Sequence, residues 1–271
     1  MSEFTSEDAM RRQLEFLRPH EIRAALASCP VVYLPLGTIE WHCEHLPVGL
    51  DALTAQGVCL RAAAAYGGLV YPPLHYGTGG DHGRYPWTVM MDGSAEIKTQ
   101  LNHTLGRLQD FGVRVAVLFT GHFADEQIAM VRQIADAWNR AGHAMTVVAA
   151  AVNMVSDAPI EPDHAGIFET TLLYALWPDR VDLSRLPPKH EHDARDDAWS
   201  PARHEHDHPL WGIVGPDPRD FEPRAAARLL AAVVNWLVTQ TRQAVESHSL
   251  AAQTLPVQHA AASTRGIQAH E

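Results

Sequence analysis

Three short segments of the chain concentrate the side-chain types that hold divalent cations. Glu40, His42 and His45 are followed closely by Asp51. On an extended chain, residues two apart point to the same side, so Glu40 and His42 can converge on one point. Asp51 has to be brought back by a turn, for which Pro47 and Gly49 are suitable residues. Carboxylate and imidazole together suit a borderline ion such as Zn²⁺ or Mn²⁺. The plain alternative is a solvated turn, since one Glu-x-His is common on any surface. The second segment is Gly121-His122, where glycine lets the backbone turn a side chain into a cleft. Asp125 and Glu126 follow, in a position where acids also serve to cap a helix and favour its dipole. The third pairs His164 with Glu169 across a helix start, one able to ligate and the other to carry a proton. The competing reading has Asp163 or His164 capping that helix, with Glu169 on its wet face.

These segments matter only if the fold brings them together. Apolar runs at 30–37, 67–73, 113–119 and 144–152 read as short buried strands. Between them, 50–66, 94–112 and 124–142 carry apolar residues every three or four positions, as amphipathic helices do. Ser94 stands at an N-cap position, and Gly112 and Gly142 where helix C-caps belong. Helices are also expected at 164–177, ended by Pro178, and at 224–245. Alternating strand and helix predicts an α/β fold, a three-layer sandwich with a central, mostly parallel sheet flanked by helices. Ligands in such folds gather at the carboxyl ends of strands. The polar clusters follow the predicted strands directly. Residues 1–249 read as a single domain, and 250–271 as a flexible tail.

The chain has 271 residues, 46% hydrophobic and 20% charged, which is ordinary for a globular domain able to bury a substantial core. A formal charge of −11 argues against nucleic acid or an anionic membrane as a partner. No apolar run has the roughly 20 residues needed to span a bilayer. Three cysteines without paired spacing and a polar N-terminus point to a reducing, cytoplasmic setting. Of 17 histidines, five fall within 190–208. That tract lacks regular ligand spacing and an apolar frame, and reads as a solvated loop rather than a metal-binding tract.

The segment LPLGTIEWHCEHLPVGLD resembles the first motif of the creatininase (creatinine amidohydrolase) family, in which a strand ends in Gly-x-x-Glu-x-His and continues through His-Leu-Pro to Asp. GTGGDHGRYPWT is similar to that family's Gly-rich segment, TGHFADE to its Asn-Gly-His segment, HAGIFETT to its His-Ala-Gly-x-x-Glu-Thr helix start, and GIVGPDP to the stretch before its last helix. The resemblance implies a compact α/β sandwich and a divalent metal, Zn or Mn with iron as a further candidate, as one or two ions per chain. It implies Glu40, His42, Asp51, His122 and Glu169 as ligands, with Asp51 bridging if two ions bind. His164 would shuttle a proton, with Glu169 beside it in the reaction. It also implies a homo-oligomer, often a hexamer, with active sites near subunit contacts. The chain departs from the pattern at Ala124, where creatininase has a carboxylate two residues after the histidine. Thr120 replaces asparagine, and Cys43 and Trp87 stand where glycine is usual. The missing carboxylate points to one ion, or to a second that relies on Glu169. Trp87 argues against creatinine itself as substrate.

The activity implied is hydrolysis of an amide or cyclic amide C–N bond in a small molecule by metal-activated water. His82, Tyr85 and Trp87 would line the pocket against a flat substrate, with Asp125 as a further substrate contact. Metal-dependent lyase, isomerase or peptidase chemistry would use the same scaffold. A non-catalytic metal-binding protein would instead rely on the 190–208 tract. A serine hydrolase is disfavoured by the lack of a Gly-x-Ser-x-Gly elbow.

Overall fold

The computed structural model describes residues 6–191 and 197–254. Two short helices, α1 (Ser6–Met10) and α2 (Pro19–Ser28), precede β1 (Val31–Leu36). Then come α3 (Leu50–Tyr66), β2 (Leu69–Val70), α4 (Ala95–Asp110), β3 (Val115–Thr120), α5 (Asp125–Arg140), β4 (Thr146–Ala151), α6 (Ile167–Leu176) and α7 (Ala226–Thr254). The sheet order is β2-β1-β3-β4, and every pairing is parallel. The register pairs Val31 with Val115 and Thr120 with Ala151, so β1, β3 and β4 end on one edge.

Strand side chains alternate between two cores, as a period of two requires. Val31, Tyr33, Val117 and Phe119 face a core completed by α3, α6 and α7. Val32, Leu34, Ala116 and Leu118 face the opposite core, completed by α2, α4 and α5. The architecture is therefore the expected three-layer sandwich. Alanine-rich α3 lies between the sheet and α6 and α7, and is buried on most sides.

The elements depart from expectation chiefly at β2, α2 and α7. β2 has only two residues, because Gly67 and Gly68 adopt positive φ and prolines follow at 72 and 73. α2 was not expected, although Pro19 at its first turn and the Arg18 N–H donating to Glu21 Oε2 (2.7 Å) are helix-start signals. α7 runs to Thr254 rather than ending near 245, with His248 Nδ1 3.0 Å from Thr146 Oγ1 on β4. The expected tail from 250 is thus helical to Thr254, and its remainder lies outside the described residues. Ser94 precedes α4 but makes no side-chain capping bond, whereas Gly112 (φ +95°) and Gly142 (φ +73°) adopt the left-handed geometry of helix ends. The three cysteines are free. No described helix is long and apolar enough to cross a membrane.

The start of α3 is wedged between the ends of β1 and β3. A Cβ on Gly37 would lie 2.2 Å from the Ala52 nitrogen, and one on Gly121 would lie 2.1 Å from the Asp51 carbonyl oxygen. Gly121 is therefore required for this close approach; its φ is not in the left-handed range. Gly121→Ala should destabilise the protein by about 1–3 kcal/mol through overpacking, read as a lowered thermal midpoint. Gly106→Ala, in open space on α4, should be neutral or stabilising. Equal midpoints for the two variants would contradict the wedge.

Candidate metal centre

The segment leaving β1 turns inward, held by the Glu40 N–H donating to the Val48 carbonyl (2.8 Å) and the Trp41 N–H donating to Thr88 Oγ1 (2.9 Å). Glu40 and His42 are both fully buried. His42 Nδ1–H donates to the Glu40 carbonyl (3.0 Å), which fixes the ring so that Nε2 faces the acids. Asp51, in the first turn of α3, places Oδ1 3.3 Å from His42 Nε2 and Oδ2 3.4 Å from His122 Nδ1. Glu40 Oε2 is 2.9 Å from the same His122 nitrogen, and Glu40 Oε1 contacts His82 Nδ1 and lies 3.4 Å from His164 Nδ1. Glu169, from the first turn of α6, brings Oε2 to 3.5 Å from His42 Nε2 and accepts from the Ala165 N–H (2.6 Å).

The solvated-turn and wet-face readings do not survive this burial. Glu40, His42, Asp51, His122 and Glu169 are each at most 5% exposed. Capping of α6 falls to Asp163, which accepts from the Gly166, Phe168 and Glu169 N–H groups and leaves Glu169 free to point inward. Ligand atoms in three triads lie within 4.8 Å of one another: Glu40/Asp51/His122, His42/Asp51/Glu169 and Glu40/His42/His164. Glu40 Oε2, His42 Nε2 and Asp51 Oδ2 are buried and make no well-directed hydrogen bond. Buried polar atoms aimed at a common centre without hydrogen-bond partners fit a divalent cation, and the donor set of carboxylate and imidazole fits Mn²⁺ or Zn²⁺.

The electrostatics follow from charge crowded out of water. Burial raises Glu40, but His122, His82 and His164 outweigh it and hold the carboxyl well below its usual range. Burial lowers His42, yet Asp51 and Glu169 push it up to about 10. His122 is likewise raised well above its ordinary value by Glu40 and Asp51 against burial. Glu169 is raised well above the usual range by burial, reinforced by Asp51 and Asp163. His164 is lowered well below its ordinary value by burial, then by His82 and His42, so it is neutral at pH 7.

Other predicted residues lie elsewhere. His45 is buried, but its Nε2 is 3.1 Å from Thr170 Oγ1, away from the triads. His82, expected only as pocket lining, touches Glu40 itself. Tyr85 packs edge-on to His82 at 5.5 Å. Trp87 is 77% exposed rather than packed over the cluster, and Asp125 is exposed at the start of α5. Cys43, Asp81, Trp87 and Ala165 have φ between +54° and +60°. Cys43, Asp81 and Ala165 each adjoin a cluster histidine, and such strain costs about 1–3 kcal/mol per residue. Such geometry suits glycine, the residue that the family resemblance places at the Cys43 and Trp87 positions. The His-rich tract is not the expected solvated loop throughout: Arg203 within it is wholly buried and pairs with Asp197. Among the described residues it forms no ligand cluster.

A family model described as creatininase (creatinine amidohydrolase) matches residues 15–241. Creatinine amidohydrolase of Pseudomonas putida is 32% identical over 193 residues, covering 62% of this chain and 72% of that protein. A mycofactocin precursor peptide peptidase of Mycolicibacterium smegmatis is 30% identical over 165 residues, covering 58% of this chain and 62% of that protein, under two thirds of its length. A solved structure described as creatininase with Mn superposes with a TM-score of 0.68 at 25% identity, covering 85% of this chain and 97% of that one.

Against burial, Asp51 holds His42 towards its protonated form, and a ligating imidazole must be neutral, so an incoming ion displaces that proton. Mn²⁺ affinity should therefore rise by about tenfold per pH unit for each proton displaced between about pH 6 and 9. Calorimetry in buffers of different ionisation enthalpy measures both the affinity and the proton release. An affinity independent of pH across that window would contradict this electrostatic reading.

Proposed function

The chain belongs to the creatininase family, and from that premise we propose that it is a metal-dependent hydrolase acting on an amide or cyclic amide C–N bond of a small molecule. The observation that carries the proposal is Asp51: one buried carboxylate whose two oxygens face imidazoles of different triads. Glu40, Asp51 and His122 would hold one ion. His42, Asp51 and Glu169 would hold a second, with Glu169 supplying the carboxylate that Ala124 cannot. A divalent ion bound there supplies Lewis acidity and a water ionised near neutral pH.

The remaining chemistry falls to residues of this chain. His164 Nε2–H donates to the Trp41 carbonyl (3.0 Å), which directs the Nδ1 lone pair at Glu40 and Glu169. Nδ1 is thus the free basic atom of His164, and the adjacent Glu40 carboxylate opposes the burial that disfavours its protonation, so it would accept a proton from the attacking water and pass it to the departing nitrogen. Glu169, which retains a proton well above the usual carboxyl range, is the second proton carrier when it is not a ligand. Low exposure across the cluster excludes bulk water and strengthens each of these interactions.

A peptide substrate is the second reading, favoured by the likeness to the mycofactocin precursor peptide peptidase; the bond cleaved is again C–N. The wider reading is of residues 1–249 as one cytoplasmic hydrolase domain working in a homo-oligomer.

The test is turnover of small cyclic amides and of short peptides by Mn²⁺- or Zn²⁺-loaded protein in ¹⁸O-labelled water. The product should carry one solvent oxygen, and Asp51→Asn or Glu40→Gln should lower kcat/KM by about a thousandfold or more. A mass-neutral product would indicate isomerisation, and wild-type turnover in either variant would overturn the assignment.

A further inference from the structure

His122 differs from the other imidazoles of the cluster in how it is held. His42 donates from Nδ1 to the Glu40 carbonyl, and His164 donates from Nε2 to the Trp41 carbonyl. A ligating histidine is usually oriented by such a bond from its second nitrogen. His122 turns Nδ1 to Glu40 and Asp51, yet its Nε2 is buried without a hydrogen-bond partner. The direction of this ring is therefore set through its backbone and its packing.

A short relay of buried groups holds that backbone. Thr120, the last residue of β3, donates from Oγ1 to the His122 carbonyl (2.6 Å). Gln127, in the first turn of α5, donates from Nε2 to the same Thr120 oxygen (3.4 Å). The directions are fixed, because the hydroxyl has one proton, gives it to His122 and accepts from the amide. Gln127 Oε1 accepts in turn from the Thr78 N–H (3.2 Å). Both side chains are fully buried, so each end of the amide needs its partner.

The second arm of the relay reaches the Gly-rich segment. Thr78 Oγ1 donates to the Met91 carbonyl (3.2 Å), and the Met91 N–H donates back to the Gly77 carbonyl (2.9 Å). Beyond Thr78 the backbone lies against α5 and the His122 ring. A Cβ on Gly79 would sit 2.3 Å from Glu126 Oε2, and one on Gly80 would sit 3.5 Å from His122 Cε1. Two residues further on, His82 touches Glu40. One amide thus joins the turn that carries His122 to the segment that packs on its ring.

We propose that Thr120 and Gln127 are positioning residues of the metal centre. Thr120 fixes the turn that aims His122 Nδ1 at Glu40 and Asp51, and Gln127 locks that turn to the Gly-rich segment. Both act on an ion only through other residues. The proposal rests on the metal-dependent reading above and gives a role to Thr120, where the chain departs from the asparagine of the family pattern.

The test is Mn²⁺ titration of metal-free, full-length protein by calorimetry, well below the thermal midpoint of each variant. Thr120→Val, which keeps the shape and removes the hydroxyl, should weaken Mn²⁺ binding by about ten- to a hundredfold, and Gln127→Leu by about tenfold. Thr120→Ser, which keeps the hydroxyl, should stay within about threefold of wild type. Ile134→Val, in the opposite core on the same helix, loosens packing with the relay intact and should keep wild-type affinity. Wild-type affinity in both Thr120→Val and Gln127→Leu would overturn the relay, as would equal weakening in Thr120→Ser or Ile134→Val. Mn²⁺ binding abolished by Glu40→Gln but indifferent to Thr120 and Gln127 would overturn the relay alone. A wild-type protein that takes up no Mn²⁺ would overturn the metal centre and the relay together.

Discussion

Bringing Glu40, His42, Asp51, His122 and Glu169 into one nearly dry volume would cost several kcal/mol per uncompensated charge, so their mutual placement constrains everything around them. Asp51 is the hinge of that placement. It faces both imidazoles at once only because the start of α3 approaches the ends of β1 and β3 at backbone contact distance, past Gly37 and Gly121. The small residues of α3 then allow α6 and α7 to pack over it, and α6 delivers Glu169 from the opposite side. Sheet register, helix packing and charge compensation thus serve one arrangement.

Much of this was legible in the residues. Strands announced themselves as unbroken apolar runs, because each faces a core on both sides, and outer helices by period, because each has one buried stripe. Glu40, His42, Asp51, His122 and Glu169 were each named from sequence, the first two from the same-side geometry of an extended segment. The cap of α6 was left between Asp163 and His164; three backbone hydrogen bonds to Asp163 decide it. Gly121 was recognised as necessary but for a different reason, because close approach between distant segments leaves no local signal.

Two features were not legible. The His82 contact with Glu40 joins loops 42 residues apart, and no periodicity connects them. The 190–208 tract looked solvated because histidine alternates with acid there, yet in its described part the buried Arg203 and its carbonyl partners fold the chain inward. The positive φ at Cys43 and Trp87 shows where departures from glycine store strain beside the site.

On the proposed function, the buried carboxylate–imidazole cluster is the metal centre. Its most direct test is elemental analysis of untagged protein, wild type beside Glu40→Ala and His122→Ala. One or two divalent ions per chain are expected in the wild type, lost in both variants while circular dichroism shows the fold retained. Ions that persist in both variants would contradict it and move metal binding away from the ends of β1 and β3.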